Sequence, residues 1–163
     1  EPDGGAVTVS GVRLTRRPEG ERARLRAANF GILLQSGNLF QHLSVAQNIR
    51  FQMMLAGRVD EARLTSLIAS VGLAHRAHGF PAHRPGGETA RAGLPVAPAA
   101  DPPILIADEP TAEVDADTES RLIAHFDDRR RSGLTTLLAT HSQALAARTD
   151  RVVRLRDGRI VDV

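Results

Sequence analysis

The 163-residue chain has no cysteine, no lysine, no tryptophan and no tyrosine. Without cysteine there is no disulfide framework, no thiolate nucleophile and no cysteine-bound metal. Aromatics are 3% of the chain, all of them Phe, so there is no platform on which bases could stack. Every one of the 21 Lys+Arg positions is arginine, which lifts the pI to about 10.7 although the net charge is only +2. The arginines scatter along the chain, with short clusters at Arg16-Arg17 and Arg129-Arg130-Arg131. That pattern describes a solvated basic surface, and no nucleic-acid partner is expected. No run approaches the roughly 20 apolar residues of a membrane-spanning helix. The opening Glu1-Pro2-Asp3-Gly4-Gly5 is turn-like and acidic, unlike a signal peptide. It also does not start with methionine, so a processed, trimmed or partial chain is expected.

What is present is ordinary for one globular domain: 42% hydrophobic and 25% charged residues in a chain long enough to bury a core. Residues 6–9 and 11–14 suggest a short strand pair turning at Ser10-Gly11, and 19–27 a charged helix. Phe30-Gly31-Ile32-Leu33-Leu34 is a short apolar run of the buried-strand type. Ser44 with Gln47 three residues later forms a capping-box signal for a helix to about Ala56. A second helix spans 60–71, with Leu64, Leu67, Ile68 and Val71 on one face. Residues 79–103 are rich in Pro and Gly. Then come a buried strand at 104–107, a helix from about Thr118 to Arg131, a strand at 134–139 and a short helix from His141 to about Arg148. A terminal hairpin turns at Asp157-Gly158. Strands alternating with helices predict an α/β domain with a largely parallel sheet.

The chemistry concentrates at Ile104-Leu105-Ile106-Ala107-Asp108-Glu109-Pro110. A buried strand there delivers two adjacent carboxylates to the carboxyl edge of the sheet, where α/β proteins bind ligands. Neighbouring residues on a strand point in different directions, so one carboxylate can hold a cation while the other orients water. An acidic turn after a core strand is the plain alternative for Asp-Glu alone. The segment resembles the Walker B motif of ABC-type ATPases. The continuation Thr111-Ala112-Glu113-Val114-Asp115 resembles the D-loop of that family. Leu137-Leu138-Ala139-Thr140-His141-Ser142 resembles its switch strand and H-loop, and Ile32-Leu33-Leu34-Gln35 with Asn38-Leu39-Phe40 resembles its Q-loop. All four occur in the family's order. The text around them is most similar to the lipoprotein-release and macrolide-export subgroup.

The resemblance implies a P-loop NTPase-like α/β fold with a helical insert at 45–79, in a single partial ABC ATPase domain over 1–163. It implies ATP and Mg²⁺ as cofactors. Glu109 would be general base and His141 would contact the γ-phosphate. Asp108 and Gln35 would hold the metal, Gln35 also sensing the nucleotide. Asp115 would couple two ATP sites across a homodimer. Membrane permease subunits would be the partners, placing the chain in the cytoplasm, peripheral on the inner face of the cell membrane.

Two departures qualify this. No G-x-x-x-x-G-K-[ST] loop is present, and without lysine none could be served. The N-terminal strand–P-loop–helix unit is therefore missing from this chain, and truncation is the simplest expectation. On its own the chain is expected to bind ATP poorly and hydrolyse it negligibly. The family's signature L-S-G-G-[EQ] is matched only by Arg84-Pro85-Gly86-Gly87-Glu88, within a degenerate region over 80–100. Gly86, Gly87 and Glu88 would approach the nucleotide of the second subunit, but Pro85 offers neither hydroxyl nor N–H. Pro95 and Pro98 follow, and an interior proline costs a helix about 3 kcal/mol, so the helix after the motif is expected to stop or kink near Leu94. The alternative reading is a non-catalytic, degenerate ABC-like module that docks on a partner without ATP turnover. A third class, a soluble ABC ATPase of translation or DNA repair, is disfavoured by the lack of basic arms and of tandem domains.

Overall fold

A computed structural model of the chain describes residues 2–81, 91–112 and 114–162. The candidate signature residues Gly86, Gly87 and Glu88 lie outside the described residues.

The chain opens with a hairpin of β1 (Thr8–Val9) and β2 (Val12–Arg13). Ser10 and Gly11 take φ of 48° and 77°, the two left-handed positions of a type I′ turn. Helix α1 (Glu19–Asn29) follows Pro18 and feeds directly into β3 (Phe30–Leu33). Next come α2 (Val45–Leu55) and α3 (Glu61–Ser70). The predicted capping box is complete: Ser44 Oγ accepts from the Gln47 amide at 3.2 Å, and Gln47 Oε1 accepts from the Ser44 amide at 2.8 Å. Asp60 caps α3 by accepting from the Arg63 amide.

Residues 91–93 are helical, and 94–100 continue only as turns. The stop falls where Pro95 and Pro98 predict it. Neither proline has an amide to give, and the turns close instead by Val96 N–H to Gly93 O and Ala99 N–H to Val96 O. This buried, apolar stretch lies directly against β3. A Cβ added to Gly31 would stand 2.1 Å from the Ala97 carbonyl oxygen, so only glycine allows that approach.

The centre is a parallel sheet in the order β3-β4-β5, with β4 (Ile104–Asp108) in the middle and β5 (Thr135–Ala139) at one edge. Its register aligns Leu33, Ala107 and Leu138 on one face and Ile32, Ile106 and Leu137 on the other. Helix α4 (Ala116–Arg131) joins β4 to β5 and covers the first face, packing Leu122 and Phe126 onto Leu33, Leu105 and Ala107. Leu145, on the short helix α5 (Gln143–Ala146), completes this cluster. A second cluster forms between α2 and α3 from Val45, Ile49, Met53, Leu64 and Ile68. Each such aliphatic side chain contributes about 1.5–3 kcal/mol by leaving water. Arg129 of α4 is buried at 3% exposure, yet its guanidinium donates to Pro102 O at 2.9 Å and Thr135 O at 3.3 Å. It thereby ties the helix end to the entrances of β4 and β5.

The last elements, β6 (Arg154–Arg156) and β7 (Arg159–Asp162), form an exposed hairpin. Its turn residues Asp157 and Gly158 have φ of 49° and 72°. The first strand of this hairpin begins at Arg154, which pairs with Asp162.

Candidate functional site

All three parallel strands run out at the same edge, and their following loops meet there. β4 ends on Asp108, which pairs with Ala139 at the end of β5. The chain then bends sharply. Glu109 takes φ of 44°, a left-handed conformation unusual for any residue but glycine. The bend breaks the strand's side-chain alternation and turns the Glu109 carboxylate toward the β5 exit. The Glu109 amide donates to Ala139 O at 2.9 Å. Its carboxylate receives the Thr140 hydroxyl and the His141 amide, each at 3.4 Å, and lies 3.5 Å from His141 Nε2. The His141 side chain is otherwise fully exposed. Asp108 is exposed at the sheet edge.

From β3 the chain enters a tight loop. Asn38 fastens it, accepting from the Leu34 amide at 2.8 Å and donating to Leu34 O at 2.7 Å. Its side-chain amide pairs with Leu34 as a neighbouring strand would. Gln35 sits inside this loop. A cleft of about 310 Å³ is lined by Gln35, Asn38, Leu94, Glu109 and Val114. Asp115 follows Val114 and caps α4, accepting from the Thr118 amide at 2.9 Å. That hydrogen bond, the Thr118 side chain and Arg91 hold the Asp115 carboxyl below its ordinary value. Arg91 Nη1 stands 3.9 Å from Asp115, linking the segment after the candidate signature to the start of α4. Helix α4 therefore begins at Ala116, two residues before the expected Thr118, because Asp115 is its cap as well as the end of its loop.

The ABC transporter family model matches residues 1–112. The chain belongs to the ABC transporter family. An uncharacterized ABC transporter ATP-binding protein of Mycobacterium tuberculosis is 36% identical over 99% of this chain and 66% of its own length. The lipoprotein-releasing system ATP-binding protein LolD 1 of Rhodospirillum rubrum is 37% identical over 99% of the chain and 73% of its own. The chain thus spans just under two-thirds of the first of these relatives. The solved ATP-binding cassette MJ0796, a dimer bound to ADP and Pi, superposes with a TM-score of 0.92 over 99% of this chain and 73% of that one. At 23% identity that likeness speaks for the fold, the mixed α/β architecture of ABC ATPases.

Within this ABC domain, Gln35 and Glu109 line one cleft and His141 reaches Glu109 from its far side. Asp108 stands next to Glu109 at the same edge, and Asp115 lies further off at the foot of α4. Two participants were not singled out by motif reading. Asn38 closes the Gln35 loop, and Thr140 touches the Glu109 carboxylate. The sequence does hold a trace of each. Asn after a strand end is a loop-bonding residue, and Thr140-His141-Ser142 is a pattern in which a hydroxyl accepts from the amide two residues on.

Proposed function

We propose that this domain is the ATP-binding and hydrolysing subunit of an ABC transporter that powers export or lipoprotein release through a membrane permease. The observation carrying this is the convergence of Gln35, Glu109 and His141 at one sheet edge, with Glu109 and His141 in contact. Phosphoryl transfer to water asks a protein mainly for positioning and charge neutralisation. The γ-phosphate would lie over this edge, where His141 donates to it. Glu109 would take a proton from the attacking water. Asp108 offers carboxylate oxygens and Gln35 an amide oxygen, which suits Mg²⁺ held by one or two protein oxygens plus phosphates. When bound with nucleotide, that ion supplies neutralisation of phosphate charge.

Asp115 caps α4 beside the cleft, consistent with a coupling role between two ATP sites. Gly86, Gly87 and Glu88 are assigned to the nucleotide of a second copy on the strength of the family motif. Among the described residues no helix is long and apolar enough to cross a membrane. We place the domain on the cytoplasmic face of such a permease. The kinship with LolD 1 of R. rubrum favours lipoprotein release as the task.

The test is Mg·ATP turnover by the full-length gene product and its Glu109→Gln variant. Removing the base lowers kcat by about 10²–10⁴-fold with nucleotide binding retained. Wild-type turnover in Glu109→Gln overturns the assignment. Residues 1–163 alone, lacking a lysine to neutralise phosphate, are expected to show negligible turnover.

A further inference from the structure

Glu109 is held by more than its own strand. Its backbone is bonded to Ala139, and its carboxylate meets the next two residues of the same segment, Thr140 and His141. The Thr140 hydroxyl decides how firmly. A threonine hydroxyl has one proton and two acceptor sites. The Ser142 amide donates to Thr140 Oγ1 at 3.0 Å and occupies an acceptor site. The proton is then left to point elsewhere, and the Glu109 Oε2 lies 3.4 Å away. Ser142 cannot drift, because it caps α5, accepting from the Leu145 amide at 3.2 Å. Leu145 is in turn sealed in the core cluster beneath the sheet. A chain of contacts thus runs from the core through Leu145, Ser142 and Thr140 to the carboxylate.

We infer that Thr140 is a positioning residue for Glu109, using its single hydroxyl proton to set the direction of the carboxylate that activates water. The inference rests on the reading of Glu109 as general base. The 3.4 Å spacing is long for a hydroxyl–carboxylate bond, as is usual for catalytic contacts before substrate binds, and it tightens when the phosphate arrives. Thr140 acts through Glu109, the carboxylate its hydroxyl faces.

The test compares wild type, Thr140→Val and Thr140→Ser in the full-length protein. Valine keeps the shape and removes the hydroxyl, so folding is preserved. Thr140→Val lowers kcat about tenfold with KM for ATP within about twofold, and Thr140→Ser restores kcat to within about threefold of wild type. A Thr140→Val enzyme with wild-type kcat overturns the inference. So does a Thr140→Ser enzyme as slow as the valine variant, since that would make the methyl group the active part. Absence of turnover in wild type would instead strike the general-base reading. The carboxylate-carbon resonance of ¹³C-labelled Glu109 reads the inference independently of activity. It moves in Thr140→Val and stays in Thr140→Ser, and an unmoved resonance in Thr140→Val overturns it.

Discussion

On one face of the β3-β4-β5 sheet, Leu33, Leu105 and Ala107 are sealed under α4 and α5. On the other, Ile32 and Leu137 remain 48% and 61% exposed, with Ile106 half-buried between them. The two faces are built from the same kind of side chain. Parallel strands that are apolar on both sides belong to sheets covered on both sides. The difference shows that aliphatic content alone does not create a core. A core needs elements delivered to that face, and here the β4–β5 crossover helix, α5 and the 94–97 segment deliver them. The chain spans only part of its relatives' length, and the exposure of this face is that of residues 1–163 alone.

The comparison can be broken by substitution. The largest effect is expected at Leu105, 1% exposed in the middle of the covered face. Leu105→Ala should cost about 2–5 kcal/mol of stability, read as a lowered urea midpoint. On the open face, Leu137→Ser should change stability by no more than about 0.5 kcal/mol, while reducing the binding of a hydrophobic dye. Equal destabilisation by the two variants would mean that the open face is covered in solution.

The smallest expected effect concerns pH. His125 of α4 is half-buried beside Phe126, and burial pushes its pKa below the ordinary imidazole value near 6.5. The positive charges of Arg129 and Arg63 push the same way, while Asp128 and Asp101 oppose them. The folded form therefore binds its proton less readily than the unfolded chain. Stability from this group is intact above about pH 6.5 and falls as acid protonates the unfolded state first. His125→Gln should flatten the decline of the urea midpoint between about pH 7 and 5. An unchanged slope would show that α4 is less tightly covered at His125 than its packing indicates.

Features made by neighbours in sequence were legible beforehand. The Ser44–Gln47 capping box, the apolar strands at 30–33 and 104–108 and the two glycine-containing hairpin turns each depend on residues a few positions apart. The proline stop after Gly93 belongs with them. Boundaries shared between two roles were harder to read. Asp115 looks like the end of a loop, and its function as a helix cap shows only when the Thr118 amide is seen pointing at it. The short helix after His141 was expected to reach Arg148, but it closes at Ala146 and continues as turns. Motif order pointed to Gln35, Asp108, Glu109 and His141 one at a time, without their contacts. The contact of Glu109 with Thr140 joins residues 31 positions apart. No local pattern encodes it, because it arises from the register of β4 against β5.

The left-handed backbone of Glu109 sets two demands against each other. A non-glycine residue in that conformation costs folding about 1–3 kcal/mol. Glycine would adopt the same bend freely, and the carboxylate would vanish with the strain. The domain keeps its acid at a spot that stability alone would hand to the smallest residue. A search for sturdier versions of this protein would thus be drawn to position 109, and would find there a more durable molecule without the carboxylate proposed as general base.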